Sequence, residues 1–326
     1  MQLAWGYIAP LTMEAAVRHG IFDLLDGGPR TIDEVARHTG ASERGLRALM
    51  NALAGLQLLS RDADGNYGLT GESAAFLVSG KPGYVGGLIR HTSTQRIPLW
   101  LKLTDAVKEG KPAAGGVNRE QTGTEFFHEF VEDLFPLSYR PALALAEVLD
   151  LGATRVPLKV LDIAAGSGVW GIALAQQSPR VSVTAVDWPG MLDVTRRTAA
   201  RCGVEEQFTF VGGDILEADF GTGHEVATLG HILHSEGVER SRALLRKTYE
   251  ALAPGGTIAI QEFLVNDDRS GPPMALMFAV NMLVLTDQGD TWSFNEIAGW
   301  LREAGFENPR TLDSPGPSPL ILADRP

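Results

Sequence analysis

Apolar residues recur with a helical period through roughly the first 145 positions, so that they fall on one face of successive helices. Thr31 and Ser42 stand where N-cap residues are expected, and Glu34 completes a capping box with Thr31. A short hairpin is predicted over 58–69, because two apolar runs flank a turn made of Asp, Gly and Asn. Helix, helix and hairpin in this order are typical of a winged helix. We therefore predict an N-terminal domain that is all-helical apart from this wing.

From Leu158 onward, short apolar runs alternate with amphipathic helices, which is typical of a parallel sheet covered by helices. Strands are predicted at Lys159–Ile163, Ser182–Val186, Thr209–Val211, Val226–Gly230, Thr257–Phe263, Arg310–Leu312 and Leu320–Ala323. Helices are predicted at Val169–Gln177, Met191–Cys202, Val238–Leu252 and Asn295–Ala304. The chain is therefore predicted to contain an N-terminal domain at 1–110, a helical connector at 111–150 and an α/β domain at 151–326.

A glycine-rich loop follows the first predicted strand of the α/β domain. Gly166, Gly168 and Gly171 satisfy the spacing G-x-G-x-x-G, and a helix is predicted directly after it. Asp187 lies 19 residues beyond Gly168, at the end of the next predicted strand, where an acid can bind ribose hydroxyls. The glycines alone could simply make a tight turn. With the strand, the helix and the acid, they indicate a Rossmann-like domain that binds a nucleotide-type ligand.

Two ligands compete for this loop, a nicotinamide dinucleotide and S-adenosylmethionine, and Asp162 distinguishes them. A pyrophosphate prefers a helix N-terminus that has no carboxylate close by. S-adenosylmethionine has no phosphate but carries an ammonium and a sulfonium, so a carboxylate beside the glycines stabilises it. We therefore expect S-adenosylmethionine as the cofactor and S-adenosylhomocysteine as its product. A nicotinamide oxidoreductase is the alternative.

Composition and charge narrow the function further. The formal net charge of −12 disfavours nucleic-acid phosphates, although the winged helix carries Arg44 and Arg47 and a DNA-binding regulatory protein stays an alternative. Cys202 is the one cysteine, so an intrachain disulfide and a Cys-rich zinc site are excluded. The first 25 residues do not resemble a signal peptide, and no uncharged apolar run reaches 18 residues. We expect a cytoplasmic protein with no membrane partner.

Five ordered motifs resemble those of class I methyltransferases, and in particular those of the caffeate / hydroxyindole O-methyltransferase type. They are L-D-I-A-A-G-S-G at 161–168, V-D-W-P at 186–189, G-G-D-I at 212–215, L-H at 233–234, and A-P-G-G followed by I-Q-E within 253–262. The N-terminal winged-helix region resembles the dimerisation domain of the same family. The resemblance covers nearly the whole chain and implies a homodimeric methyltransferase with a small-molecule acceptor.

The resemblance also implies which residues bind the cofactor. Asp187 and Trp188 correspond to the ribose-binding segment of the family, and Asp214 and Ile215 correspond to its adenine-binding segment. A carboxylate can accept a hydrogen bond from the exocyclic amine of adenine, while an apolar side chain packs on the ring. The predicted cofactor-binding residues are therefore Asp162, Gly166, Gly168, Asp187, Trp188, Asp214 and Ile215.

The chemistry of methyl transfer indicates His234 as a general base. A hydroxyl group is a weak nucleophile until its proton is removed, and a histidine is suited to this task near neutral pH. His234 follows one predicted strand and Glu262 lies at the end of the next, so the carboxylate can reach the imidazole and orient it. We predict His234 and Glu262 as the catalytic residues.

Several positions depart from the family pattern. The family's L-H-D reads Leu233-His234-Ser235 here, so the acid after the histidine is absent. A later acidic residue of the family aligns roughly with Thr291, and alanines replace two glycines at 164–165. A softer acceptor needs less base strength than a hydroxyl does. Besides O-methylation of a small aromatic or hydrophobic acceptor, S- or C-methylation and a non-catalytic S-adenosylmethionine-binding protein therefore stay open.

A metal site is considered because His231 and His234 form H-x-x-H with Glu236 nearby. In a strand-to-loop context this spacing does not place both imidazoles on one face, so we predict no metal site.

The acceptor pocket is predicted from apolar helices that flank the catalytic residues. The Met-rich helix at Met274–Leu285 is either core or a pocket wall, since methionine adapts to planar ligands. The predicted acceptor-binding residues are Met277 and Asn281 from this helix, Tyr139 from an aromatic-rich helix, and Trp292.

Overall fold

The structure is a computed structural model that describes residues 3–113, 115–117, 119–128, 130–316 and 318–326. It divides into two compact units, Met1–Pro98 and Leu99–Pro326. The predicted connector, 111–150, lies within the second unit, and three of its residues (Ala114, Asn118 and Glu129) lie outside the described part of the chain.

The first unit contains short helices and one hairpin. Its helices are α1 (Ile8–Arg18), α2 (Ile21–Leu25), α3 (Ile32–Thr39), α4 (Glu43–Gly55), α5 (Gly71–Phe76) and α6 (Gly86–Arg90). Strands β1 (Leu59–Arg61) and β2 (Tyr67–Leu69) pair antiparallel and form the predicted wing. The predicted caps are present as well. The hydroxyl of Thr31 accepts from the backbone N–H of Glu34 within a complete capping box, and Ser42 accepts from the N–H of Gly45.

The second unit carries the remaining helices and the main sheet. Helix α7 (Ile97–Trp100) spans the division, and it is followed by α8 (Leu103–Glu109), α9 (Glu120–Phe127), α10 (Phe135–Val148), α11 (Val169–Ala175), α12 (Pro189–Arg201), α13 (Leu233–Ala251), α14 (Pro273–Leu285) and α15 (Phe294–Ala304). The strands are β3 (Leu158–Ile163), β4 (Val181–Asp187), β5 (Phe208–Gly212), β6 (His224–Gly230), β7 (Leu252–Gln261), β8 (Glu307–Leu312) and β9 (Leu320–Asp324). Single 3-10 or π turns lie at Leu3–Trp5, Thr92–Arg96, Val131–Leu134, Leu151–Ala153 and Glu205–Gln207.

The seven strands of the main sheet lie in the order β5-β4-β3-β6-β7-β9-β8. The first five are parallel, and β9 pairs antiparallel with both β7 and β8. Alternate side chains of β3 enter two different cores: Leu161 packs on the side of α13 and α15, and Val160 packs on the side of α10 and α11. The predicted α/β class, with a parallel sheet covered by helices, is confirmed. Ligands of such sheets bind where the carboxyl ends of the parallel strands meet.

Helix α13 differs from the prediction, because it begins at Leu233 and not at Val238. Gly237 interrupts it with non-helical dihedral angles (φ 72°, ψ 174°), so the first turn is separated from the body of the helix by a kink. Gly237 and the polar residues before it interrupt the helical periodicity, so the sequence pattern did not indicate this first turn. His234 therefore lies on a helical turn and not on a loop.

Among the described residues, no helix combines the length and the apolar character that crossing a membrane requires.

Candidate active site

The glycine loop joins the carboxyl end of β3 to the first turn of α11, as predicted. Gly166 and Gly168 have positive φ values of 54° and 76°, a conformation that favours glycine. A Cβ at Gly168 would lie 2.8 Å from Cγ2 of Thr195, and one at Gly171 would lie 2.7 Å from Cγ1 of Val183. The loop therefore needs glycine both for its backbone conformation and for the close approach of its neighbours.

Asp162 lies at the end of β3, and its side chain is fully buried behind the loop. One carboxylate oxygen accepts from the backbone N–H of Gly171 at 2.9 Å, and the other accepts from the hydroxyl of Thr228 at 2.8 Å. Burial raises the pKa of Asp162 to about 7. These two hydrogen bonds hold the loop against the sheet. The contribution of Asp162 to cofactor binding stays a prediction.

Asp187 ends β4 on the other side of the loop. Its carboxylate accepts from the backbone N–H of Gly166 at 2.8 Å and from that of Trp188 at 2.7 Å. Burial raises the pKa of Asp187 to about 6. The charge of Asp187 also contributes to the raised pKa of Asp162. A cation placed beside these two carboxyl groups would relieve both effects, so the site electrostatically favours a positively charged ligand.

Trp188 begins the turn into α12, and its ring packs against Gly123 of α9 so closely that a Cβ there would overlap it. It joins a small apolar cluster with Val131, Met191 and Val194. Trp188 thus fixes α9 beside the carboxyl end of β4.

Asp214, which follows β5, is held by a residue that the sequence analysis missed. Nη2 of Arg240 donates to both carboxylate oxygens, at 3.0 and 2.8 Å, and Nε of Arg240 donates to Glu236 at 2.6 Å. Glu236 and Arg240 stand four residues apart, a spacing that could have indicated the pair. Ile215, the other predicted adenine contact, is 8% exposed and belongs to the core on the α13 side of the sheet.

His234 and Glu262 come together at the carboxyl ends of β6 and β7. Nδ1 of His234 lies 2.8 Å from Oε2 of Glu262, and the backbone N–H of His234 donates to Oε1 at 3.2 Å. Burial would raise the pKa of Glu262, but the adjacent imidazole and its hydrogen bonds outweigh burial and lower it. Glu262 is therefore a carboxylate that fixes the imidazole from behind.

Ser235 and Thr291 stand where the family has acidic residues, and neither supplies a second carboxylate beside His234. The hydroxyl of Ser235 donates to the backbone carbonyl of Ile232 at 2.9 Å, and Thr291 is buried.

A second imidazole, that of His231, faces the same carboxylate. Its Nδ1 lies 4.0 Å from Oε2 of Glu262 and is buried without a hydrogen-bond partner. Burial lowers the pKa of His231 to about 4. One ligand atom from each of His231, His234 and Glu262 lies within 4.8 Å of the others. His231 precedes α13 and His234 lies on its first turn, so the two imidazoles do not share a helical face, but both lie beside Glu262. Glu236 pairs with Arg240 instead.

Aromatic side chains surround His234. The ring of Phe278, on α14, meets the imidazole edge to face at 5.0 Å and packs against Phe263 at 4.2 Å. Two predicted acceptor-binding residues lie on the same helix: Met277 is 56% exposed, and Oδ1 of Asn281 accepts from Nε1 of Trp100 at 3.1 Å. Phe263 was not singled out from the sequence, although it directly follows Glu262.

Two predicted acceptor-binding residues lie elsewhere. The hydroxyl of Tyr139 donates to Gln176 at 2.7 Å, beyond the last turn of α11 and about 12 Å along that helix from the glycine loop. Trp292 is 8% exposed in the core, where its ring packs against Trp300 and its N–H donates to the backbone carbonyl of Leu233 at 3.2 Å. Other protein groups hold both side chains, and contact of either with an acceptor stays a prediction.

Family models match most of the chain. An O-methyltransferase domain matches residues 100–307, and an O-methyltransferase dimerisation domain matches residues 1–79. The chain belongs to the O-methyltransferase family. The predicted resemblance, the class I methyltransferase fold and the dependence on S-adenosylmethionine are thereby confirmed.

Individual O-methyltransferases align over nearly the full length of the chain. A 3-hydroxy-5-methyl-1-naphthoate 3-O-methyltransferase from Streptomyces sahachiroi is 32% identical, over 98% of this chain and 92% of the relative. The tetracenomycin polyketide synthesis 8-O-methyl transferase TcmO from Streptomyces glaucescens is 29% identical, over 100% and 96% of the two chains. The solved structure of PigF with S-adenosylhomocysteine superimposes with a TM-score of 0.84 at 28% identity, covering 99% of this chain and 98% of that one.

Proposed function

We propose that this S-adenosylmethionine-dependent O-methyltransferase methylates a hydroxyl group on a small aromatic acceptor. The observation that carries the proposal is the hydrogen bond between Nδ1 of His234 and Glu262, 2.8 Å long, at the sheet edge that also carries the glycine loop. A carboxylate on Nδ1 keeps the proton on that nitrogen, which leaves the lone pair of Nε2 free to accept a proton.

The residues around the loop fit the cofactor. The glycines let the loop pack closely against Thr195 and Val183, and two buried carboxyl groups with raised pKa values favour a cation. When bound, S-adenosylmethionine supplies an electrophilic methyl group. Asp187 and Trp188 would bind the ribose, while Gly166 and Gly168 would leave room for the rest of the ligand. Asp162 would act from behind the loop through its charge.

Asp214 and Ile215 are proposed to bind the adenine. Arg240 neutralises the carboxylate of Asp214, which lowers the cost of bringing a neutral base against it. Oδ1 also accepts from the backbone N–H of Leu216, so Oδ2 is the oxygen that would accept from the amine.

The methyl acceptor would lie between His234 and the aromatic wall of Phe263 and Phe278. Nε2 of His234 takes the hydroxyl proton while the oxygen attacks, and Glu262 stabilises the imidazolium that forms. The proton leaves later to solvent, and the pair returns to its starting state. Met277 and Asn281 would contact the acceptor from α14.

Aromatic acceptors are favoured over other hydrophobic ones because the rings around His234 offer both faces and edges for packing. The relatives that act on a naphthoate and in tetracenomycin synthesis support the same class.

We also propose that the protein works as a homodimer through its N-terminal domain, residues 1–110, of which 1–79 match the dimerisation domain of the family. Exposed apolar side chains of the first unit, such as Trp5, Tyr7 and Leu56, are consistent with a partner surface.

A labelled-methyl transfer screen tests the proposal. The protein is incubated with methyl-labelled S-adenosylmethionine and matched sets of phenols, aryl thiols, anilines and aromatic carboxylates. We expect label on phenolic hydroxyls and none on the corresponding methyl ethers. His234→Ala should bind S-adenosylmethionine as the wild type does but lose transfer. Label on thiols or carbon alone, or full turnover by His234→Ala, would contradict the proposal.

A further inference from the structure

We propose that His231, His234 and Glu262 form a binding site for a divalent transition-metal ion of the zinc type, and that an ion bound there switches off methyl transfer. The binding site stands on geometry alone. The inhibition rests on the proposed role of His234 as the base, and the experiments below separate the two.

The three side chains already lie close to the arrangement that a metal ion needs. Their ligand atoms lie within 4.8 Å of one another, and two of the distances to Oε2 of Glu262 are 2.8 and 4.0 Å. Zinc binds imidazole nitrogen and carboxylate oxygen at about 2.0–2.2 Å, so its ligands lie roughly 3–3.5 Å apart. The widest separation must shorten by up to about 1.8 Å, and we propose that the His231 ring rotates to allow this.

His231 contributes to the set a nitrogen atom that has no protein partner. Its Nδ1 is buried, has no hydrogen-bond partner and faces Glu262. Buried polar atoms without partners are uncommon. The backbone of His231 has a positive φ of 60°, and its N–H donates to the carbonyl of Gln261, which anchors the residue beside β7. A metal ion would give this nitrogen a partner.

The donor set selects the kind of ion. Two imidazoles and one carboxylate suit zinc, cobalt, nickel or copper, whereas magnesium and calcium prefer sites built from oxygen ligands. Three protein ligands also leave a fourth position for water, as in open zinc sites. Magnesium is therefore the natural negative control.

Metal binding would prevent His234 from acting as the base, because it changes which ring nitrogen carries the proton. In the resting state, Nδ1 of His234 carries the proton that is donated to Glu262, and Nε2 holds the free lone pair. A metal ion on Nδ1 displaces that proton to solvent. Nε2 takes up a proton from solvent in exchange, so the ring stays neutral and His234 releases no net proton. With Nε2 protonated, the imidazole can no longer accept a proton from a hydroxyl group.

The first experiment measures binding without turnover. Chelator-treated protein is titrated with Co²⁺, followed by its visible absorption, and with Zn²⁺ by equilibrium dialysis, with Mg²⁺ as the control ion. We expect one ion per chain at micromolar concentration for Co²⁺ and Zn²⁺. His231→Asn should bind at least tenfold more weakly, and asparagine tolerates the positive φ at this position.

His224→Asn is the matched control. His224 is also a buried histidine with an unpartnered Nδ1, but it lies at the opposite end of β6 from His231. It should bind Co²⁺ and Zn²⁺ as the wild type does, and circular dichroism checks that both variants are folded. Failure of the wild type to bind either ion at micromolar concentration, or equally tight binding by His231→Asn, would overturn the site.

The second experiment measures methyl transfer as zinc is added, with each rate normalised to the zinc-free rate of the same protein. We expect inhibition of the wild type and of His224→Asn that a chelator reverses, and a shift of at least tenfold to higher zinc concentration in His231→Asn. Zinc that binds at the site but leaves turnover unchanged would overturn the inhibition and count against His234 as the base. A wild-type protein that turns over normally but binds neither Co²⁺ nor Zn²⁺ would overturn the metal site and leave the proposed function intact.

Discussion

Replacing Glu262 with glutamine tests the core of the proposed mechanism, because it keeps the size of the side chain and changes its hydrogen bonding. In the wild type, one carboxylate oxygen accepts from the backbone N–H of His234 and the other accepts from Nδ1–H of its ring. Glutamine has one oxygen and one NH₂ group. The backbone N–H cannot change its role, so it must keep the amide oxygen, and the NH₂ group is then turned toward Nδ1.

This orientation forces the wrong tautomer on the imidazole. An NH₂ donor requires Nδ1 to accept, so the proton moves to Nε2 and the free lone pair is no longer available to the acceptor hydroxyl. A positioned general base contributes about 10²–10⁴-fold to the rate, which corresponds to about 3–5 kcal/mol of transition-state stabilisation. We therefore expect kcat of Glu262→Gln to fall by about 10²–10⁴-fold, with little change in the affinity for S-adenosylmethionine.

The assay is steady-state methyl transfer combined with calorimetry of S-adenosylmethionine binding. Glu236→Gln is a matched control, since Glu236 is also a buried glutamate two positions from His234 but pairs with Arg240. It should lower kcat by less than about tenfold, since it leaves the base and its orienting group in place. The double variant His234→Ala/Glu262→Gln should be no slower than His234→Ala alone. A Glu262→Gln enzyme within threefold of wild-type kcat, or additive losses in the double variant, would refute the reasoning.

Three further predictions concern the residues around the cofactor loop. The raised pKa of Asp162, about 7, means that its contribution to stability is largest below its unfolded pKa and is lost as pH rises toward 7. Asp162→Asn should remove that part of the pH dependence of the free energy of unfolding, up to about 3 kcal/mol between pH 5 and pH 8 in urea unfolding. An equal pH dependence in the wild type and the variant would contradict this. Arg240→Met leaves Glu236 buried without its cation, so the free energy of unfolding should drop by about 1–3 kcal/mol and recover partly when Glu236→Gln is added, as thermal unfolding can measure. Gly168→Ala places a Cβ against Thr195 and should weaken S-adenosylmethionine binding at least tenfold by calorimetry; unchanged affinity would show that the loop tolerates the methyl group.

The strands and the glycine loop could be predicted, because local sequence patterns determine them. Apolar runs between turns located the strands of the main sheet, and the spacing of Gly166 and Gly168 located the loop. The pairing of His234 with Glu262 was also accessible, because residues that end neighbouring parallel strands meet at one edge. The hydrogen bond between them is present, although their catalytic roles stay a prediction.

The orientation of side chains on helices was not predictable to the same degree. Tyr139 lies on α10, which a helical period describes correctly, yet the period does not say which neighbour covers which face. Trp292 lies in the segment before α15, where no period applies. Tyr139 turns toward Gln176, and Trp292 turns toward Trp300. The early start of α13 escaped notice for a different reason, since Gly237 breaks the periodicity within the helix.

The three carboxylates that end strands β3, β4 and β5 show why a residue type at a given position does not determine its role. In the sequence Asp162, Asp187 and Asp214 are alike, each an acid at the carboxyl end of a strand. Their partners come from distant parts of the chain: Thr228 is 66 residues from Asp162, and Arg240 is 26 residues from Asp214. Asp162 accepts hydrogen bonds from a hydroxyl and a backbone N–H, so it is a buried structural acid. Asp214 bonds to a guanidinium, so it is part of an ion pair. Asp187 bonds to the N–H groups of Gly166 and Trp188, within the two motifs that the sequence analysis had already assigned to the cofactor. It is the acid whose hydrogen-bond partners both lie in motifs recognisable in the sequence, and its role beside the ribose stays a prediction.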